Sequence, residues 1–571
     1  MTLTALSGLS LLSACGPTGE AGRNRDEVDA AVIFPATNRP DVRGTRGAVS
    51  AGHPLAARAG MAVLEEGGNA VDAAVAMAAV LAVVRPHMNG VGGDAFVLVR
   101  EGRSGKVFAL NGSGRAGALA TPEFFTRRGL KRIPERGALS VSVPGAVAAW
   151  VDVHERFGTL PLPRLLGPAI AYARDGFPVS SRLAADFAAQ GEPLNDAGRA
   201  LYLPGGASPP VGSLLRNPAL ARTLERIAAR GKEGFYRGPV ARRLARFLEA
   251  EGGYLRAEDF AEHTSTWVEP LTGSYLGHAF YVLGPNTQGV AQLQLFAMAK
   301  ERGLAGMGHN TAPYLHTLIE LKKLAFADRD RWVADPEMAS VPVDALLDSA
   351  YLARRAALVD PAHAAAEVAP GIGEPLPPSE ETDDSGDTVY LTAVDADGNA
   401  VSWIQSLYAG FGSGLFEPET GVMLQNRGAL FTLQEGHPNR IAPGKRPYHT
   451  LTPLLALNGD GSLAFTLGTP GGDSQTQSLL QIVNNLLLFG MTPQEAVEAP
   501  RFRSYPGLRV AVEDRIAPRV VTALEKLGHD VRRVHGWTAT FGGAQMIRVE
   551  PGFGTLTVAS DPRREAYGVA Y

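Results

Sequence analysis

Thr388 is the residue whose setting points most directly to chemistry. The stretch before it, Pro361 to Asp387 (PAHAAAEVAPGIGEPLPPSEETDDSGD), is rich in Pro, Glu, Asp and Ser. Such a composition cannot bury enough apolar surface to pack a core. It stops abruptly at TVYLTAVDADGNAVSWIQSL, which reads as strand opening on a threonine. Cleavage of the Asp387–Thr388 bond would give Thr388 a free α-amine beside its hydroxyl, a base and a nucleophile on one residue. The competing reading is an ordinary acidic linker in front of a strand.

A nucleophile of this kind needs N–H groups aimed at the charge that develops on the attacked carbonyl. Gly468-Thr469-Pro470-Gly471-Gly472-Asp473 lies between an apolar strand and a helix. Its glycines let backbone amides approach a ligand closely, although many such turns are purely structural. The sequence holds no HExxH, no Cys/His cluster and no carboxylate grouping that demands a metal. No GxSxG elbow offers a rival nucleophile. The threonine reading requires neither cofactor nor metal.

These residues depend on elements that the pattern places. TVYLTAVD, a turn at Ala396–Asn399 and AVSWIQSL form a hairpin with Thr388 at its open end. Further strands are expected at LTPLLAL and SLAFTLG, and a helix at SLLQIVNNLLLFG after the glycine turn. Upstream, PLAARAGMAVLEEGG is a helix closing at Gly67-Gly68, and Asn69 caps a second one, AVDAAVAMAAVLAVV, with Asp72 in its first turn. Asn89–Asp94 connects that helix to the strand AFVLV, the reverse of a dinucleotide-binding turn. Residues 148–330 read as mostly helical, with a strand pair in TWVEPLTGSYLGHAFYVLG turning at Thr272-Gly273. The charges of the helix Tyr314–Trp332 are expected on a solvated face or in local salt bridges.

The chain has 571 residues, 45% hydrophobic and 20% charged, with a net charge of −4, which sets nucleic-acid binding aside. Its one cysteine, Cys15, excludes an internal disulfide. Residues 1–26 read as a signal segment, and Leu12-Ser13-Ala14-Cys15 is like a lipobox, so Cys15 is a candidate lipid anchor. The expected location is the cell envelope or periplasm. The absence of Lys or Arg in the first residues leaves a cytoplasmic location as the alternative.

Taken together, SAGHPLAARAGMAVLEEGGNAVDAAVA, NGVGGDAF, LSVSVPGAVAAW, ELKKLAFADRDRWVADP, GDTVYLTAVDADGNAVS, FGSGL, GTPGGDSQTQ and EAVEAPRF resemble the γ-glutamyltransferase (glutathione hydrolase) proenzyme family. The resemblance runs from about residue 45 to the C-terminus. It implies an α+β N-terminal-nucleophile hydrolase fold, an αββα sandwich built jointly by two self-cleaved fragments. The large fragment would span 27–387, ending in a flexible linker over 361–387, and the small one 388–571. The fragments would associate as a heterodimer acting on a small amide substrate. Thr388 would be the nucleophile, Gly471 and Gly472 the oxyanion hole, and Ser406 would stand where a second Thr hydrogen-bonds the nucleophile.

The departures from the family concern the substrate. Tyr408 replaces an Asn, Arg427 and Leu430 replace the acidic residues that hold an α-amine, and His449-Thr450 replace a serine pair. The family's carboxylate-binding Arg falls at Ser113, with Arg115 two residues on. A cationic pocket of Arg115, Arg427 and His449 would suit an anionic acyl group. Structural ion pairs are the alternative for each Arg, and a hydrogen-bonded structural role for His449. These changes resemble the oxamate amidohydrolase and cephalosporin acylase branches, so the expected activity is hydrolysis or transfer of a γ-glutamyl or similar acidic acyl group, the alternative being an oxamate-type or dicarboxylate-acyl amidohydrolase. A non-catalytic envelope binding lipoprotein is the reading from a different class.

Overall fold

The computed structural model describes residues 37–375 and 386–571. Cys15, the 1–26 signal segment and residues 376–385 of the tether lie outside the described residues. No helix among the described residues is long and apolar enough to cross a membrane.

The hairpin forms as its sequence implies. Strand Asp387–Val394 pairs antiparallel with Ala400–Tyr408, and the register sets Thr388 opposite Ser406. These two strands sit in the middle of a seven-stranded sheet ordered Tyr567–Ala570, Ala48–Ala51, Asp387–Val394, Ala400–Tyr408, Asp94–Arg100, Val107–Gly112, Thr266–Val268. A second sheet of seven runs Val42–Gly44, Leu556–Ser560, Gln545–Val549, Leu463–Gly468, Leu454–Leu457, His278–Val282, Leu271–Tyr275. Every neighbouring pair in both sheets is antiparallel.

Side chains alternate across a strand, so a central strand serves two cores at once. Val389, Leu391 and Ala393 face the helix Ala70–Val84, all of whose residues are buried. Tyr390, Val394 and Ile404 point the other way and meet Phe96, Leu455 and Ile547 between the sheets. The second sheet covers its outer face with helices Gly289–Lys300, Ala312–Trp332 and Ser474–Leu487 through a third apolar cluster. Helix, sheet, sheet, helix is the four-layered arrangement expected. Asn69 and Asp72 form the capping box that starts the helix Ala70–Val84.

Three local expectations change. Thr272 and Gly273 lie inside a strand; the turn is at Leu276 and Gly277, with φ of 47° and 81°. Positive φ at both central residues is the backbone twist a two-residue hairpin prefers. The charges on Ala312–Trp332 are only partly on a solvated face: Asp330 is exposed, but Lys322, Lys323, Asp328 and Arg329 are each at most 8% exposed. Lys323 pairs with Glu320 and Arg329 with Asp330 inside the helix; Lys323 also bonds to Ala365, Arg329 to Asp473 and Asp328 to Gly371. The expected flexible linker is also pinned over its first part. The Ala365 N–H donates to Glu320 Oε2 (3.1 Å), the Gly371 N–H to Asp328 Oδ1 (2.7 Å), and the Trp332 indole N–H to the Ile372 carbonyl (2.9 Å).

Candidate active site

Thr388 shares a strand face with Tyr390 and Thr392, so its side chain enters the space between the sheets. The pairing with Ala400–Tyr408 shifts register between Asp387 and Thr388. A bulge of this sort twists the strand locally and re-aims its side chains. Thr388 is 1% exposed, and its hydroxyl donates to Ser406 Oγ at 3.0 Å. Ser406 Oγ also accepts from the Tyr408 backbone N–H (2.8 Å) and from Arg427 Nη2 (3.0 Å), and donates its own proton to the Asp387 carbonyl at 2.7 Å. The Ser406 hydroxyl is therefore the hub of the site.

Tyr408 ends its strand with φ of 82°. A bulky residue there is strained, and such strain concentrates at functional positions. The conformation aims its backbone N–H back at Ser406 and lays its ring 4.7 Å from the Arg427 guanidinium carbon. Arg427 opens the short helical turn Arg427–Leu430 and is fully buried. Burial pulls its pKa down to about 10, against the opposing field of Asp94, so it stays cationic at neutral pH. Its Nη1 donates to Thr450 Oγ1 at 3.4 Å. Among the described residues Arg427 has no carboxylate partner in an ion pair, and its Nε has no hydrogen-bond partner.

His449 is fully buried, with Nε2 3.2 Å from Asp94 Oδ2. Burial first, and then the charge of Arg427, push its pKa down to about 4, so it is neutral at neutral pH. It therefore adds no positive charge to the pocket. Asp94 Oδ1 accepts from the N–H groups of Gly114 (2.9 Å) and Gly145 (3.0 Å) and from Gln425 Nε2 (3.1 Å). The glycines let two loops converge on one carboxylate oxygen.

Gly471 and Gly472 lie beside the bond before Thr388. A Cβ built on Gly386 would meet the Gly472 Cα at 2.9 Å and its nitrogen at 3.1 Å. Gly471 and Gly472 have φ of 128° and 57°, a left-handed backbone suited to glycine. The loop is anchored from outside by Arg329, which donates to Asp473 Oδ1 (2.7 Å) and Oδ2 (3.0 Å) and to Gln288 Oε1 (3.0 Å).

The structure thus brings together Thr388, Ser406, Tyr408, Arg427, His449, Thr450, Gly471 and Gly472. It does not bring Arg115 with them. That side chain is a quarter exposed, donates to Glu337 Oε2 at 2.7 Å and to the Gly444 carbonyl at 3.0 Å, and takes the structural alternative left open for it. Sequence reasoning missed Asp94, Arg329 and Arg564. Arg564 donates to Asp387 Oδ1 at 2.9 Å, within the protein interior. Asp94 and Arg329 sit inside NGVGGDAF and ELKKLAFADRDRWVADP, so the motifs contained them, but nothing in either motif names its distant partner.

Sequence reasoning also missed a polar cluster of His316, Glu320 and His529, whose ligand-type atoms lie within 4.8 Å of one another. His316 Nδ1 is 2.8 Å from His529 Nε2, and Glu320 Oε1 accepts from Lys323 Nζ at 2.8 Å. The adjacent ammonium fills the role a cation would take, so these residues fit an internal clamp better than a metal centre.

The Gamma-glutamyltranspeptidase family profile matches residues 56–571. The chain is 37% identical over 539 residues to the glutathione hydrolase-like YwrD proenzyme of Bacillus subtilis (strain 168), covering 92% of this chain and 99% of that one. It is 38% identical over 542 residues to the oxamate amidohydrolase proenzyme of Klebsiella pneumoniae, with the same two coverages. The crystal structure of the cephalosporin acylase from Bacillus halodurans superposes with a TM-score of 0.86 at 36% identity, covering 94% of this chain and 98% of that one. The chain belongs to the γ-glutamyltranspeptidase family of N-terminal-nucleophile hydrolases, and is related to the acylase and oxamate-hydrolase branches of that family.

Proposed function

We propose that the chain is a self-cleaving amidohydrolase or acyltransferase that works through an ester on Thr388. Cleavage between Asp387 and Thr388 frees the Thr388 amine. That amine takes the hydroxyl proton as Oγ1 attacks a substrate amide carbonyl, and the amides of Gly471 and Gly472 receive the oxyanion. Collapse passes the proton held on the Thr388 ammonium to the leaving nitrogen, expels it as the neutral amine and leaves acyl-Thr388, which water, or an acceptor amine in transfer, resolves. Ser406 orients the nucleophile throughout. No step calls for a cofactor.

The observation that carries this reading is the Thr388–Ser406–Arg427 chain of hydrogen bonds, which ends on a buried guanidinium with no carboxylate partner among the described residues. A buried cation in that position suits an acyl donor bearing a carboxylate. Tyr408, His449 and Thr450 would wall the same pocket. γ-Glutamyl amides are one such class. Loss of the acidic residues that hold an α-amine favours oxamyl or dicarboxylate-monoamide donors, which the branch relationships also support. A panel of γ-glutamyl, oxamyl and glutaryl amides tests this. The expected order is oxamyl or glutaryl above γ-glutamyl, and preferential turnover of γ-glutamyl-p-nitroanilide would overturn it. Denaturing electrophoresis with N-terminal sequencing tests the cut, which should yield a fragment beginning at Thr388.

The lipobox-like Leu12–Cys15 supports delivery to the cell envelope with Cys15 as lipid anchor. Fractionation of a Cys15→Ser variant tests this. The variant should move from the membrane to the soluble fraction, and an unchanged distribution would remove the anchor from the proposal.

A further inference from the structure

The contacts of the Asp387 carbonyl bear on how the chain is cut, before any substrate arrives. That carbonyl belongs to the scissile bond itself, and it accepts the Ser406 proton at 2.7 Å. Three donors converge on Ser406 Oγ: the Thr388 hydroxyl, the Tyr408 N–H and Arg427 Nη2. A hydroxyl has one proton and two lone pairs, so this oxygen is crowded by donors, one of them cationic. Electron density drawn toward them makes the Ser406 O–H a stronger donor to the carbonyl.

We propose that Arg427 is a positioning residue for self-cleavage, acting through Ser406 on the Asp387 carbonyl. This rests on the cut before Thr388 set out above, and gives Arg427 a role earlier than substrate binding. Thr388 Oγ1 bonds to the Asp387 carbonyl carbon as the carbonyl π bond opens. The Thr388 hydroxyl proton passes to Ser406 Oγ, and the Ser406 proton passes to the carbonyl oxygen. The product is a neutral tetrahedral centre, formed with no base beyond the groups present. Collapse breaks the bond from that carbon to the Thr388 nitrogen, to which the new hydroxyl proton returns. The ester so formed is hydrolysed by water, giving the Asp387 carboxylate and a free Thr388 hydroxyl.

The cation stabilises electron density on Ser406 Oγ while both protons are in flight. Arg564, holding the Asp387 side chain at 2.9 Å, fixes the other side of the same bond. Once Asp387 departs, the Arg427 guanidinium and the Ser406 hydroxyl face the vacated space together, which is where an acidic acyl group would enter.

The test is the rate of self-cleavage of freshly purified full-length chain, followed on denaturing gels, for Arg427→Lys, Arg427→Gln and Arg427→Met. Thermal midpoints monitor folding. Lys, which keeps the charge, is expected within a few-fold of the unaltered chain. Gln, a neutral donor, should cut about tenfold slower and Met about a hundredfold slower, in the range lost with one oxyanion donor. Added guanidinium ion should speed cleavage of the folded Met variant without raising its thermal midpoint. Equal rates for Lys and Gln would overturn the proposal, and that comparison stands even if the Met variant does not fold. Thr388→Ala separates the two levels: if it is still cut at this bond, the nucleophile assignment itself fails. If it stays whole while the folded Arg427 variants cut at full rate, only the role of Arg427 fails.

Discussion

The two ends of the central hairpin make opposite use of their polar groups. At the turn end, Asp395 is saturated. Its Oδ1 accepts from the N–H groups of Asp397 (3.0 Å) and Asn399 (2.9 Å), and its Oδ2 from the Ala70 N–H (2.9 Å) and Asn399 Nδ2 (2.8 Å). At the open end a bulge separates Asp387 from Thr388, Tyr408 has positive φ, and among the described residues Asp387 Oδ2, Arg427 Nε and His449 Nδ1 have no hydrogen-bond partner. Buried polar atoms are nearly always paired, so a cluster of exceptions marks bonding capacity held for something else. One end of the same two strands is fully paired, and the other carries the candidate site.

The largest effect should come from Thr388→Ala. Self-cleavage and amide hydrolysis should both vanish while the thermal midpoint stays near that of the unaltered chain, and residual turnover on the substrate panel would break the contrast at once. Gly471→Ala comes next. The added Cβ would sit 2.3 Å from Ser474 Oγ at a φ of 128°, so the loop must move and kcat should fall about a hundredfold. Steady-state assays of the matured variant measure it.

Acid should act on the open end. The pKa of His449 is about 4 in the folded protein against an ordinary 6.5. Above 6.5 the group is neutral in both states and contributes no pH dependence. Between 6.5 and 4 the unfolded chain binds the proton first, so stability is lost as pH falls, by about 3 kcal/mol for this residue alone. His53 and His263, both lowered to about 3 by burial, act in the same direction. Urea midpoints across that range, with His449→Gln flattening the slope, check the sign. Asp395→Ala should cost about 2 kcal/mol of stability and leave kcat of the folded protein unchanged, since the loss is of paired acceptors far from Thr388. The smallest change is expected from Arg115→Met. A rim ion pair with Glu337, itself 47% exposed, contributes at most about 1 kcal/mol. A KM raised well beyond twofold would return Arg115 to the pocket.

The candidate nucleophile was legible because composition breaks sharply at Asp387, and because the family resemblance falls on Thr388. Counting outward from Ala396–Asn399 would set Thr388 opposite Leu407; the loop is one residue longer, with Val394 opposite Ala400, so Thr388 pairs with Ser406, a partner that only the family resemblance had named. The four layers followed from the family resemblance, since periodicity placed only individual strands and helices. The electrostatics did not follow. Arg564 meets Asp387 from 177 residues away, and Asp94, at the start of the strand Asp94–Arg100, meets His449 across the space between the sheets. Residue type alone also gave His449 a charge that only burial could remove. Arg115 and Arg427 look alike in sequence, and what separates them is that Glu337 lies beside one and, among the described residues, no carboxylate pairs with the other.

The order of strands in the two sheets has a consequence for durability. In the first sheet Ala48–Ala51 lies between Tyr567–Ala570 and Asp387–Val394, and in the second Leu454–Leu457 is flanked by His278–Val282. A chain severed before Thr388 therefore has both pieces woven through both ladders. Its unfolding releases two diffusing molecules, and recovery becomes a second-order encounter that dilution slows. For the processed protein, lifetime under stress would be set by the rate of escape, not by a reversible balance.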